Sequence, residues 1–360
     1  MLYIGIVFFL IMFSVGRLPN IKSITLLKIS LFILWILATF RSFEIGNDTK
    51  SYYELFRSIC ITHNYQTMTW RFEVGYLWLN DIISYLTTDF TVFLGIVNAF
   101  IYLIYYFFIK RYSKNYMMSV FLFFTLGMWG NTMNIIRLEL AITLAMLGFM
   151  VKDNEKNKKI FGIGISLLAV TLQRISLVYS LGLLVPKKIS KKFYKYSSIG
   201  ALIGIVVLPS VMNVVGTFVP YFSEFYLQSG SGYSIDGVKL ASVLNMLMAL
   251  VVFLLGYIIY RRYNIAGNQI SDIALQINMV WISFLILFVS LRFNLIDRCS
   301  YFFWGFATVM IPNIFEYVKL KTNRRILKGL IIFTCILYFI ITTIYRPEWN
   351  SIYPYKMVLS

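Results

Sequence analysis

The chain has little of the chemistry on which many soluble enzymes depend. Its 360 residues include one histidine, His63, and three scattered cysteines, Cys60, Cys299 and Cys335. A single histidine excludes a histidine-based zinc site and a serine–histidine triad, and the cysteines are too few for a disulfide framework. We expect His63 to be a solvated loop residue, and Cys299 and Cys335 to pack as small apolar side chains.

Two kinds of sequence signal are also missing. No glycine-rich loop of the GxGxxG or GxxxxGK type is present, which argues against nucleotide-driven work by this chain and against a nucleotide cofactor. The first apolar run lacks both a basic amino-terminal region and a small-residue cleavage site. It therefore predicts a first membrane span rather than a cleaved signal peptide.

Charged residues are scarce. They make up 13% of the chain, whereas 59% is apolar and the mean hydropathy is +0.75. This apolar excess is more than a soluble core can bury, so the sequence predicts an all-α, polytopic integral membrane protein with a single membrane domain over residues 1–360. About ten spans are predicted from the length of the apolar runs, which fall near residues 2–15, 24–40, 90–109, 117–130, 132–151, 197–219, 240–260, 273–291, 299–318 and 329–345.

Acidic residues are fewer than basic ones, 15 against 33, and the basic residues are unevenly spread. Of these, 22 basic but only 4 acidic residues lie in six segments, 16–28, 110–116, 152–159, 186–196, 261–272 and 316–328. The positive-inside rule makes these segments cytoplasmic, and an even number of spans then places both termini outside. Basic loops of this origin require no nucleic-acid partner.

Residues 160–185 do not fit a simple series of spans. Both flanks are basic, and Gln173 and Arg174 interrupt the middle of the apolar stretch. At about 1.5 Å per residue each half is short for a span. The pattern predicts a re-entrant helical hairpin with Gln173 and Arg174 at its tip; two short, tilted spans are the alternative.

Two stretches, 41–89 and 220–239, are predicted to be external loops. The first mixes acids, arginines and aromatic residues in RSFEIGNDTKSYYELF and WRFEVGYLWLNDIISYL, a composition that suits sugar binding. Gly46 allows a tight turn that would aim Asp48. Asp48 or Asn47 would also cap a helix from Thr49 to about Cys60.

Four arginines, Arg137, Arg174, Arg292 and Arg298, lie inside or at the ends of apolar runs, and no lysine shares that depth. Charges within a membrane normally face a cavity, and the guanidinium group binds phosphate with two parallel hydrogen bonds. The pattern predicts a phosphate or carboxylate site close to the external surface. Each arginine could instead bind a carboxylate or a carbonyl in the helix packing.

Several short motifs follow one another along the chain. They comprise Arg41, Gly46, Asp48, Tyr52 or Tyr53 and Phe56; then Glu73, Gly75 and Tyr76; then Asn134, Arg137 and Ala141; and then Arg298 and Tyr301. This ordered set covers most of the chain and resembles the EpsG family of bacterial polysaccharide-polymerising membrane proteins, relatives in role of the Wzy O-antigen polymerases. The family often has a histidine in the segment matching LQRISLVY, where this chain has Gln173 and Arg174, so a proton-transfer role of that histidine does not carry over.

The resemblance implies a glycosyltransferase of the bacterial plasma membrane, which joins oligosaccharide repeat units carried on a polyprenyl diphosphate into O-antigen, capsule or exopolysaccharide at the external face. Catalysis would then rest on Asp48 or Glu73 as base and on Arg137. Glu44, Asp81 and Glu139 are weaker candidates for the base. Glu139 lies about 200° around the helix from Arg137, so we expect it to pair with another helix. Substrate-binding residues would be Arg41, Tyr52, Tyr76, Asn134, Gln173, Arg174, Arg292, Arg298 and Tyr301.

Other reactions remain open at this point. A flippase of lipid-linked oligosaccharide would also line a cavity with arginines, although the sequence shows no internal repeat. A transferase that adds one sugar from a polyprenyl phosphate and a ligase that moves a finished glycan would use similar groups. No DxD sequence is present, which favours a metal-independent mechanism. Membrane lipid and a flippase or chain-length regulator of the same pathway are the expected partners.

Overall fold

The computed structural model describes residues 2–15, 22–69, 71–154, 158–218, 238–263 and 271–358. These residues confirm the all-α class, since they form helices and no β-structure beyond an isolated bridge between Arg41 and Met357. The predicted external loop 220–239 falls almost wholly on 219–237, outside the described residues.

The chain divides into two compact units: unit 1 comprises residues 1–183 and 318–360, and unit 2 comprises residues 184–317. The first part of the chain forms α1 (Leu2–Val15), α2 (Ser23–Thr39), α3 (Thr49–Thr62), α4 (Val74–Ser84), α5 (Phe90–Tyr112), α6 (Tyr116–Thr125), α7 (Met128–Asn134), α8 (Ile136–Asn154), α9 (Lys159–Leu172) and a 3-10 helix, Arg174–Leu184. The remainder forms α10 (Lys191–Phe218), α11 (Leu240–Arg262), α12 (Ser271–Ser290), a 3-10 helix (Asn294–Ser300), α13 (Tyr301–Trp304), α14 (Ala307–Phe315) and α15 (Lys321–Phe339), which continues as a π-helix, Ile340–Tyr345. Two short 3-10 turns, Gln66–Met68 and Pro347–Trp349, complete unit 1.

Five of these helices are long and apolar enough to cross a membrane. They are Phe90–Tyr112, Lys191–Val214, Leu240–Arg262, Asp272–Ser290 and Lys321–Tyr345. Each of the ten apolar runs overlaps a helix, but several of these helices are short, and the run 299–318 is divided between α13 and α14. The exact number of spans and the external position of the termini therefore stay predictions.

The centre of unit 1 is built around α6. All residues from Met117 to Thr125 are buried, and the Asn115 side chain caps the helix by accepting the Met118 N–H at 3.1 Å. Phe124 packs on Trp129 and Phe339, with ring centroids 4.7 and 5.0 Å apart. The ten-residue α6 is therefore a core helix that other helices surround.

The polar interruption predicted within residues 160–185 separates two helical arms. The backbone of Gln173 is extended (φ −156°, ψ 116°) and ends α9. Lys152, near the carboxyl end of α8, packs against Gly162 and donates to the Leu183 carbonyl, so the outer ends of both arms lie at the same end of α8. At about 21 and 22 Å the arms are shorter than a membrane core. Their depth in a membrane stays a prediction.

Glu139 has the inter-helical partner that the sequence predicts. Its side chain is buried on α8, where Oε2 accepts the Tyr105 O–H of α5 at 3.0 Å. A carboxylate shielded from water in this way is tolerated only with hydrogen bonds. Glu139 therefore joins α8 to α5 and stands apart from Arg137.

We expect Tyr105→Phe to lower the free energy of unfolding by about 1–3 kcal/mol, because it leaves the buried Glu139 without this donor. Thermal unfolding in one detergent measures the effect. The adjacent Tyr106→Phe is the control, because Tyr106 is only partly buried and its ring faces Lys110. Equal melting temperatures for the two variants would contradict the prediction.

Candidate functional site

The segment after α2 forms a turn that is seated on the α7–α8 junction. Gly46 has φ +89°, and a Cβ at this position would lie 2.6 Å from the Met133 carbonyl oxygen, so glycine is required. The Thr49 hydroxyl bonds the Ile45 and Met133 carbonyls at 2.6 and 3.0 Å. The turn therefore places the start of α3 beside the α7–α8 junction.

Asp48 occupies the N-cap position of α3, but it does not act as predicted. Its side chain makes no capping hydrogen bond and its backbone is in the helical region, with φ −96° and ψ −9°. The buried Thr49 side chain anchors this helix start instead. The helix itself, Thr49–Thr62, agrees closely with the predicted range. Asp48 is a partly exposed carboxylate beside the Gly46 turn.

Arg41 lies beneath this turn, in an environment unlike the one predicted for a substrate-binding residue. It is 1% exposed, and its two Nη atoms donate to the carbonyls of Ala38 and, at 3.0 Å, Met133. Burial lowers the pKa of Arg41 to about 10, so the side chain is still charged at neutral pH. The structure thus gives Arg41 a scaffold role, because carbonyl oxygens of α2 and α7 already hold its guanidinium group.

Arg137, the first-turn arginine of α8, is held by a carboxylate from the predicted set. Glu73 Oε2 lies 2.5 Å from Arg137 Nη1, and Glu73 Oε1 accepts the Arg174 backbone N–H at 3.1 Å. Arg137 Nη1 also lies 3.4 Å from the Arg71 carbonyl, and its guanidinium stands 5.1 Å from the Phe72 ring centroid. We call these residues the Arg137 cluster. Its carboxylate links α8, the start of α4 and the hairpin tip.

The Arg137 cluster is mostly shielded, and some polar atoms of the cluster and of residues close to it in sequence lack hydrogen-bond partners. Side-chain exposure is 16% for Arg137 and 13% for Glu73. Arg137 Nε, Asn134 Oδ1 and Gln173 Oε1 are buried without a hydrogen bond. Since buried polar atoms are normally hydrogen-bonded, these three atoms are available to a polar ligand. Arg174 is exposed and its side chain is open to solvent.

The two predicted tyrosines lie in the packing between α3 and α4. Tyr52 is 5% exposed and Tyr76 is fully buried, and their rings meet edge to face with centroids 5.8 Å apart. Aromatic pairs of this kind stabilise helix packing. The structure therefore places both rings in the packing of α3 against α4, and their role in sugar binding stays a prediction.

The remaining predicted site residues belong to unit 2. Arg292 is exposed in the turn after α12. The Tyr301 hydroxyl donates to Asp297 Oδ2 at 3.3 Å. Burial raises the pKa of Asp297 to about 6, although Arg298 opposes the shift. The Asp297 carboxylate thus interacts with both Arg298 and Tyr301.

The weaker base candidates have partners of their own. Glu44 is exposed and lies 2.8 Å from Lys356, which lowers its pKa chiefly through a hydrogen bond. Asp81 lies 3.3 Å from His63, which is exposed just after the end of α3, as predicted, and whose ring stacks on Tyr85. Among the described residues, no group of three or more His, Cys, Asp or Glu side chains is placed to bind a metal ion.

Residues 346–358, which we call the C-terminal strap, cross the Gly46 turn, a contact that no sequence pattern indicates. The Gly46 N–H donates to the Ser351 carbonyl at 2.8 Å, and Asn47 Nδ2 donates to the Trp349 carbonyl at 3.3 Å. Farther along, the Tyr355 hydroxyl donates to the Leu37 carbonyl at 2.8 Å. The strap therefore holds the turn through hydrogen bonds to Gly46 and Asn47.

We expect deletion of residues 350–358 to speed amide hydrogen exchange in residues 41–49, because the Gly46 N–H loses its acceptor on Ser351. Hydrogen-exchange mass spectrometry measures this. Lys356→Ala, which removes only an exposed ion pair, should leave the exchange unchanged. Full protection of the turn in the truncated protein would show that the strap does not hold it.

The fold and the Arg137 cluster together define a polytopic helical membrane protein with a guanidinium–carboxylate site at the end of a helix bundle. The chain belongs to the EpsG family, whose model matches residues 24–357 and so includes the whole cluster. No curated protein and no solved structure matches the chain. Membership supports, at the level of the family, a polysaccharide polymerase of the Wzy type.

Proposed function

We propose that the protein polymerises oligosaccharide repeat units that are carried on a polyprenyl diphosphate at the external face of the bacterial plasma membrane. The observation that carries the proposal is the Arg137–Glu73 pair at the tip of the hairpin, in a chain of the EpsG family. A mostly shielded arginine whose Nε has no hydrogen-bond partner suits a phosphate group.

The reaction requires stabilisation of a leaving diphosphate. A hydroxyl of the acceptor sugar attacks the anomeric carbon of the donor, the bond from that carbon to the diphosphate oxygen breaks, and its electron pair stays on that oxygen. Arg137 and the exposed Arg174 would bind the phosphates and stabilise the growing charge, an effect worth about 3–4 kcal/mol per well-placed donor. The unpartnered amide oxygens of Asn134 and Gln173 are hydrogen-bond acceptors, so they would suit the hydroxyl groups of a sugar rather than the phosphates.

The hydroxyl proton needs an acceptor, and Glu73 is the leading one. When the Arg137 guanidinium turns toward the diphosphate, Glu73 Oε2 loses its closest partner and can accept the proton of the hydroxyl. Asp48, which is partly exposed at the start of α3, is the alternative. Comparison of Glu73→Gln with Asp48→Asn separates them, because only loss of the base should remove the acidic limb of the pH–rate profile.

The experiment that tests the proposal uses the purified protein in lipid nanodiscs with a polyprenyl-diphosphate-linked repeat unit. A ladder of longer glycans is the expected result. Addition of a single sugar or transfer of a finished glycan would instead indicate the other transferases. Transbilayer movement of the lipid in liposomes without any ladder would indicate a flippase and overturn the proposal.

A further inference from the structure

Helix α4 carries an apolar surface that its packing leaves uncovered. Val74, Trp78 and Ile82 are 58, 60 and 53% exposed, and their spacing places them within about 80° of arc at 100° per residue. Tyr85 and Leu86, in the turn that directly follows α4, are 69 and 75% exposed and extend this apolar surface. The opposite face of α4, with Tyr76 and Leu77, is fully buried. We call the exposed residues the α4 stripe.

The α4 stripe does not belong to a membrane span. The 11 residues of α4 extend only about 16 Å at helical rise, roughly half of a bilayer core. A short helix with one apolar face normally lies along the membrane interface. By this rule the stripe would contact lipid near the membrane surface, and would not extend through the full thickness of the bilayer.

Positive charge is concentrated at the amino-terminal end of the stripe. Val74 directly follows Glu73, which binds Arg137 and the Arg174 backbone. The exposed Arg71 lies just before it, and the Arg71 and Arg137 guanidinium groups stand 5.3 and 5.1 Å from the Phe72 ring centroid. Cations at one end and an apolar surface leading away from them match a lipid that has an anionic head and a hydrocarbon tail.

We propose that the α4 stripe binds the hydrocarbon tail of a phosphate-headed lipid whose head lies at the Arg137 cluster. The inference deepens the proposed function, on which it rests for the identity of this lipid as the sugar carrier. It assigns the tail a binding surface of its own, so that the length of the tail contributes to affinity. A free anion would not need the stripe, and a neutral lipid would not need the arginines.

The test measures binding of two sugar-free probes, a long-chain polyprenyl diphosphate and a short-chain prenyl diphosphate with the same head, to the full-length protein in detergent. The wild type should prefer the long chain by about tenfold or more. Trp78→Ser should weaken long-chain binding about tenfold and leave short-chain binding unchanged. Arg137→Gln should weaken both probes equally. Phe333→Ser, at an exposed apolar position of α15, is the matched control and should change neither.

A second measurement uses only the wild type and therefore tests the inference even if Trp78→Ser does not fold. A long-chain probe with a photoreactive group in its tail is crosslinked to the wild type, and residues 74–86 should carry the label. Labelling confined to other helices, or equal affinity of the wild type for the two chain lengths, would overturn the inference. The binding and crosslinking assays use probes without sugar, so they test the lipid site independently of the reaction. The proposed polymerisation is rejected only by the absence of a glycan ladder in the nanodisc assay.

Discussion

Arg137→Lys is expected to slow glycan polymerisation by about 10²–10³-fold while the protein stays folded. Lysine keeps the charge, but a single ammonium cannot bind a phosphate with two parallel hydrogen bonds. The initial rate of ladder formation per folded molecule measures the effect. Because the guanidinium would act on the leaving group, the turnover rate should fall more than the affinity for substrate.

The control for this prediction is Arg346→Lys. Arg346 is 45% exposed and lies 3.5 Å from Glu348, a surface pair of small energetic value. It should polymerise at the wild-type rate. Wild-type activity in Arg137→Lys would show that only positive charge is needed at residue 137, and the proposed two-bond recognition of phosphate would then be rejected.

Gly162→Ala and Gly164→Ala are expected to shift stability in opposite directions. A Cβ at Gly162 would lie 2.6 Å from both the Gly148 carbonyl oxygen and the Lys152 nitrogen, which are backbone atoms of α8 and cannot move aside cheaply. We expect a loss of about 1–3 kcal/mol in the free energy of unfolding. At Gly164 nothing lies within 4 Å of a Cβ, so alanine should gain about 0.5–1 kcal/mol from helix propensity.

Melting temperatures in the same detergent check this pair, and polymerisation checks its consequence. If α9 is pushed away from α8, the hairpin tip moves and the Arg174 N–H leaves Glu73. Gly162→Ala should therefore also lose activity, whereas Gly164→Ala should keep it. Equal melting temperatures for the two variants would mean that the space between α8 and α9 accommodates a methyl group at residue 162, which would contradict the prediction.

Features with a local signal were predictable from the sequence. A polar pair inside an apolar stretch predicted the break at Gln173, which the structure shows as the end of α9. Angular spacing on α8 separated Glu139 from Arg137, and the structure gives Glu139 its partner on α5. Apolar composition predicted the helical class, because a lipid environment requires every backbone group to be satisfied internally.

Features that depend on distant residues were not predictable in this way. Arg137 and Glu73 are 64 residues apart, and Asn47 and Trp349 are 302 apart, so no periodicity marks either contact. Arg41 shows a second limit. An arginine at the end of an apolar run has the same sequence context whether it faces a lipid phosphate or, as here, two backbone carbonyls.

The Arg137–Glu73 pair has a consequence for the choice among lipids if Arg137 binds the carrier. A bilayer offers phosphodiester headgroups in vast excess over any sugar carrier. Each phosphodiester headgroup would have to displace the Glu73 carboxylate, 2.5 Å from the Arg137 guanidinium, before it could bind. Because this exchanges one single negative charge for another, the binding free energy gained is small. A diphosphate brings more charge and can reach more than one arginine. The Glu73 carboxylate would thus disfavour binding of ordinary phospholipids at Arg137, and the scarce carrier would not have to compete with them.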